Sequence, residues 1–357
     1  MRHSVGARII VRAVLVAGLL AGSTATSQAA DPLVVSIWGG HWKEAVEQAI
    51  GIPFTKATGI PVEYDVGETN QRLAQARATR GNPQADVSFT TSHVARLYNS
   101  DGLLEAIPRA SLTNAKDLVP EAFKGDTAVG LYATAYALAV RTDLVKEPIT
   151  SWKDLWSPAL KGKVILPAFD PSAIIVVSAR LEGGDEFSWE KGWERLKGIR
   201  PSVAAFYATG VQSIEMMRRG EAAVGLMNSP NVNALQKEGV PVKLVIPVEK
   251  AIVTVDVITI LKGTKKKDAA IRFVDFALSP EVQGKIATTF GATPTNTRAV
   301  LPDEFRARPG IFDTKEKWAT QAYIVNEEQR AKMLDTWKER FQRDIMAKWS
   351  GGKRSGC

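Results

Sequence analysis

The chain has a single cysteine, Cys357, and it is the last residue. No disulfide can close within it, so a sizeable apolar core must hold the fold together instead. Histidine is almost as scarce. Beyond His3 only His41 and His93 occur, and neither has a second ligand at helical spacing, which removes the usual zinc motifs. There is no Gly-x-Ser-x-Gly elbow, no phosphate-cradling Gly-Lys-Ser/Thr loop and no His-Glu-x-x-His pair. Recognisable enzyme signatures are therefore missing. The apolar run 13–21 is far short of the roughly 20 residues a membrane-spanning helix needs. Internal repeats, low-complexity tracts and Gly/Ser linkers are absent as well. The densest basic run, Lys265-Lys266-Lys267, has no interleaved aromatic residues and reads as a solvated loop. The formal charge of +8, which falls by three with Arg2, Arg8 and Arg12, points to no nucleic-acid partner.

What is present begins with an export leader. Arg2, Arg8 and Arg12 form a basic region, 13–21 an apolar one, and Ser27-Gln28-Ala29 places small residues at a cleavage site. Residues 1–29 are the expected signal peptide, cut after Ala29. No cysteine lies near the cut for lipid attachment, so a free protein in the periplasm is expected.

The rest suits two α/β domains. Leu33-Val34-Val35-Ser36-Ile37 is a buried-strand run. A helix over 41–57 follows, with Pro53 expected to kink or break it. A strand at 62–66, a helix over 69–80 and a strand at 85–89 complete a parallel unit. A second unit runs from about 140 to 250 with strands at 162–166, 203–207, 222–227 and 241–246. Between them, Asp170-Pro171-Ser172 reads as N-cap, N1 and N2 of a helix. Long extended stretches at 130–140 and 251–260 connect the units, and two such crossings make a hinge. The expected division is lobe 1 from 30–132 plus 257–300, lobe 2 from 133–256, and C-terminal helices over 301–357 packing mainly on lobe 2. Leu334, Trp337, Phe341 and Ile345 form a packing stripe on the last helix.

In open α/β sheets ligands bind off the carboxyl ends of the strands. Those positions hold Trp38-Gly39-Gly40-His41, Thr91-Ser92-His93, Phe169-Asp170, Thr209-Gly210 and Asn228. Helix N-termini there suit anionic atoms. Trp38 is either a ligand-stacking wall or core. Asp170 is first a cap and second a ligand contact. Asp256 sits inside an apolar strand and requires a partner, either a ligand cation or a structural one.

Five phrases carry a resemblance: Phe54-Thr55-Lys56-Ala57-Thr58-Gly59-Ile60-Pro61-Val62, the segment 151–164, Val255-Asp256 leading into 265–276, Leu278-Ser279-Pro280-Glu281-Val282, and Gly291-Ala292-Thr293-Pro294-Thr295-Asn296. With them the chain resembles the periplasmic solute-binding proteins of ABC importers. The nearest branch includes the spermidine/putrescine-binding proteins and relatives associated with iron, thiamine or phosphonates. The resemblance implies a type II two-lobed fold, a small-molecule solute in the cleft, and an ABC permease with its ATPase as partner. It implies no catalysis, no cofactor, no metal and a monomer. Trp38 would stack on a methylene chain while Asp170 and Asp256 take ammonium groups. The set of candidate contacts is Trp38, His41, Thr91, His93, Asp170, Thr209, Asn228 and Asp256. Against a polyamine cage, a further acid falls on Ala173, rings expected near Met227 and Thr254 are missing, and His93 stands where a tyrosine is expected. Tyr207 stands alone, so the paired tyrosines of a ferric site are lacking. The expected solute is small, polar and amine-containing, polyamine-like or aminoalkylphosphonate-like. Rival classes are an exported hydrolase or transferase, and a ligand-reporting partner of a sensor kinase.

Overall fold

The computed structural model describes Met1 and residues 31–349. The expected signal peptide and Cys357 lie outside the described residues. Twelve strands are present among those described: β1 (Leu33–Ile37), β2 (Val62–Val66), β3 (Val87–Thr91), β4 (Phe123–Lys124), β5 (Ala128–Arg141), β6 (Val164–Pro167), β7 (Val203–Tyr207), β8 (Val224–Asn228), β9 (Val242–Val245), β10 (Ala251–Ile260), β11 (Thr293–Pro294) and β12 (Ala322–Ile324).

They form one continuous sheet, ordered β2-β1-β3-β10-β5-β8-β6-β7 along its main path. Its two ends are parallel, β2-β1-β3 in one lobe and β8-β6-β7 in the other. The middle is antiparallel: β10 pairs with β3 on one side and β5 on the other. The 14-residue β5 starts beside lobe 1 and ends paired with β8 and β9 in lobe 2. Both crossings are almost wholly buried, which makes a stiff hinge rather than a loose linker. The β5–β10 register slips by a bulge between Asp256 and Val257. Bulges bend a strand and re-aim its side chains, and this one stands at the acid nearest the cleft.

Pro53 does not break its helix. A π turn over Glu47–Gly51 intervenes, with the Ile52 N–H donating to the Glu47 carbonyl. Pro53 then stands in the first turn of the segment Ile52–Thr58, where a missing N–H costs nothing. The helix expected after Asp170 begins one residue later, at Ser172, and the Asp170 side chain still accepts from the Ser172 N–H at 3.0 Å as a cap would.

Two family phrases turn out to serve the fold. The segment from Ser151 opens with a reciprocal Ser151–Asp154 capping box, and the Ser151 hydroxyl donates to Glu249 at 2.6 Å. Gly291 caps the helix Pro280–Phe290 at φ 72°, a left-handed turn that favours glycine. A Cβ there would also lie 2.7 Å from Asn233. Thr295 and Asn296 then donate their backbone N–H groups to Gln283, and Thr295 Oγ1 donates to the Gly130 carbonyl.

The last long helix, Glu327–Phe341, touches both lobes. Its packing stripe is buried throughout: Leu334, Trp337, Phe341 and, in the turn that follows, Ile345. Trp337 and Phe341 belong to a lobe 2 core with Leu166 and Val177. At its other end Glu327 accepts from Ser92 Oγ at 2.5 Å and pairs with Lys124 at 3.0 Å, both in lobe 1.

Candidate functional site

The carboxyl ends of β1, β3, β6 and β8 converge on the antiparallel middle of the sheet. There they enclose about 620 Å³ of empty space, part of it open to solvent. Its walls are aromatic: Trp38 and Trp42 from lobe 1, Tyr136 from the first crossing, Phe169 from lobe 2. The lining also includes Glu68, Thr91 and Thr134, Gly210 and Val211 at a helix start, Asn228 and Asp256. An adjoining hollow shares Tyr136 and Phe169 and adds His93, Asp170 and Arg330.

Each ring is held by local chemistry. Trp38 Nε1 donates to Thr69 Oγ1 at 2.8 Å, its ring lies 5.4 Å from Trp42, and the buried Arg72 guanidinium stands 4.9 Å from it. Tyr136 lies opposite Asn228 in the β5–β8 register, and burial pushes its hydroxyl up to about 12, so it stays a neutral donor.

The two acids differ. Asp170 Oδ2 lies 2.9 Å from Arg330 Nη2 and 3.2 Å from His93 Nε2. Burial alone would raise this carboxyl, but Arg330 and His93 outweigh it and hold it well below the usual range. Burial, with the Arg330 charge, lowers His93 to about 4, so the imidazole is neutral and donates through Nε2. Asp256 is more deeply buried, at 3 % exposure against 13 % for the Asp170 side chain. Among the described residues no lysine, arginine or histidine lies within ion-pair distance of it. Burial pushes its carboxyl well above the usual range, and Tyr132 and the more distant Arg330 offset only part of that.

Not every candidate contact reaches the cleft. Trp38, Thr91, Asn228 and Asp256 line the first hollow, and Thr91, His93 and Asp170 the second. His41 lines neither. It turns toward Phe290 and Trp42, where burial and then Lys237 lower it to about 4. The Thr209 hydroxyl is consumed as a cap, accepting from the Gln212 N–H at 3.1 Å, and its neighbours Gly210 and Val211 face the cavity instead.

Comparison with known proteins decides the class. A family model, bacterial extracellular solute-binding protein, matches residues 49–313. The chain belongs to this family. It is 28 % identical over 300 residues to the spermidine/putrescine-binding periplasmic protein of Salmonella typhimurium, covering 81 % of this chain and 85 % of the relative. It is 26 % identical over 346 residues to the gamma-aminobutyric acid-binding protein of Pseudomonas aeruginosa, covering 90 % and 95 %. In fold it matches an ABC transporter substrate-binding protein from Bradyrhizobium japonicum with a TM-score of 0.77, at 20 % identity, covering 88 % of this chain and 99 % of that one.

As a solute-binding protein it is a receptor and not an enzyme, and it acts outside the cytoplasm, where the sequence placed it. Its cleft contains groups that do not stand out in the sequence. Tyr136, with the strand-end Phe169, supplies rings that the positions near Met227 and Thr254 lack. Arg330, 160 residues from Asp170, is the most consequential. One signal for it existed: Arg330 continues the buried stripe of Leu334, Trp337 and Phe341 by one turn. A charge on a buried face requires a buried partner.

Proposed function

We propose that this receptor captures a small amine-bearing solute between its lobes and delivers it to an ABC permease driven by its ATPase. The observation that carries this reading is Asp256. A buried acid without a cation, in a ring-lined cleft at the hinge, is poorly solvated until a ligand supplies the charge. An ammonium group answers it, and the faces of Trp38, Trp42 and Tyr136 add cation–π attraction. Two relatives, named for spermidine/putrescine and for gamma-aminobutyric acid, share an amine as the common chemistry of their ligands.

A ligand at this point touches both lobes and a crossing at once. It therefore favours the closed arrangement, which is the form the permease reads. The receptor works as a monomer and without a cofactor. Thermal-shift and calorimetric titration over amines, amino acids, aminophosphonates and neutral sugars test the reading. An amine at a hundred times its Kd adds about 2.7 kcal/mol of stability. Asp256→Asn weakens it at least about a hundredfold, the loss of one well-desolvated charge contact. Binding of sugars but not amines, or unchanged amine affinity in Asp256→Asn, would reject it. Stimulation of the permease ATPase in proteoliposomes by the loaded protein alone tests the partner.

A further inference from the structure

Resting on the amine reading above, we infer that Arg330 is a built-in cation that fills the second ammonium position of the cleft and restricts the receptor to solutes with a single ammonium group. Asp170 lines the hollow adjoining the one that Asp256 lines, with Tyr136 and Phe169 common to both, and a free pair of acids there would hold a diamine end to end. Asp170 is not free. Its Oδ2 already accepts from Arg330 Nη2 at 2.9 Å and from His93 Nε2 at 3.2 Å, and its Oδ1 accepts from the Ser172 N–H at 3.0 Å. Arg330 is itself fixed, donating through Nη1 to Thr254 Oγ1 at 3.0 Å.

Its helix cannot swing away cheaply. Glu327 ties one end to Ser92 and Lys124, and Trp337 and Phe341 bury the other. Both members of the pair are largely shielded, Arg330 at 6 % and Asp170 at 13 % side-chain exposure, so the attraction between them is little screened. The remaining acid, Glu68, lines both hollows but is exposed, with Arg72 as its neighbouring cation. With His93 neutral, the Asp170–Arg330 cluster carries no net charge. That leaves Asp256 as the one deeply buried acid of the cavity without a cation, at 3 % exposure. The solute that matches has one ammonium facing Asp256 and a remainder that is uncharged or anionic.

The test uses calorimetric titration of the full chain with three probes of equal length: 1-aminobutane, 4-aminobutanoic acid and 1,4-diaminobutane. Wild-type protein is expected to bind at least one single-ammonium probe tenfold or more tightly than the diamine. Arg330→Gln frees Asp170 and should shift that ratio toward the diamine at least tenfold, whereas Arg330→Lys should keep it. If Arg330→Gln does not fold, Arg330→Gln combined with Asp170→Asn removes both charges and should retain the wild-type preference. A wild-type preference for the diamine overturns the inference, as does an unchanged ratio in folded Arg330→Gln or a gain in diamine affinity by the double variant. Binding of none of the three probes to wild-type protein sinks the amine reading itself and this inference with it.

Discussion

Asp170 and Asp256 are the same residue type, they line adjoining hollows of one cleft, and their carboxyls are shifted in opposite directions. Asp170 is held ionised by Arg330 and His93. Asp256, with only Tyr132 nearby and Arg330 farther off, is pushed toward the neutral acid. Burial pushes both carboxyls up, at 3 % exposure for Asp256 and 13 % for the Asp170 side chain. What separates them is a partner delivered by a helix far along the chain. Burial sets the penalty for a charge, and the partner decides whether the charge survives it.

The contrast can be broken most forcefully at Arg330. Arg330→Met leaves Asp170 buried without its cation and should cost about 3–5 kcal/mol, read as the shift in urea midpoint. Adding Asp170→Asn should recover most of that. If the double variant is as unstable as the single one, the pair is not what holds the site.

The next effect runs the other way at Asp256. Its folded carboxyl titrates above the unfolded value near 3.8, so between the two the native state keeps a proton that the unfolded chain has lost. The stability that proton contributes is present at acid pH and is lost as pH rises through the window, by up to about 1.4 kcal/mol per pH unit. Asp256→Asn should flatten that slope and raise the melting temperature of the ligand-free protein at neutral pH. Equal melting temperatures for variant and parent across this range would show that Asp256 has a partner after all.

His93 and His41 give the opposite slope on a smaller scale. Both titrate near 4, below their ordinary 6.5, so the unfolded chain binds protons that the native one does not. Stability should therefore fall as pH drops from 6.5 toward 4, by up to about 3.4 kcal/mol per imidazole. His93→Gln should remove one share of it in acid denaturation followed by circular dichroism, and an unaltered acid limb would argue against a neutral His93.

A last change serves as a control at the start of β10, the strand that carries Asp256. Lys250 has φ 79°, the one described non-glycine residue with a positive φ. Lys250→Gly relieves that strain, and its net gain is at most about 1 kcal/mol because the Lys250 bond to the Ala319 carbonyl is lost. Differential scanning calorimetry reads it. Ligand affinity should not move, and a change in affinity would tie the turn to the cleft.

Much of the architecture was legible because period and composition are local. The apolar runs 33–37, 203–207 and 251–260 became strands with those same bounds, since a buried parallel or central strand is apolar on both faces. Pro53 was legible as an irregularity, but the π turn that accommodates it depends on how the neighbouring turns close. At the site, Trp38 and Asp170 stood out as a ring and an acid at strand ends, and Asp256 as an acid inside an apolar strand. His41 also stood out, yet it turned to Phe290, because position at a helix start does not fix which side of the backbone faces the cavity. Tyr136 was hidden among ordinary strand residues, and it became a wall only when the crossings brought four strand ends together.

The sequence by itself determined the family, the two parallel units, the paired crossings and the residue types at the strand ends, since those follow from periodicity and from phrases in chain order. Only the tertiary structure decided what the two aspartates are. Their charge states depend on distances of about 3 Å to groups up to 160 residues away, and electrostatics in a low-dielectric interior responds to such distances and not to order along the chain.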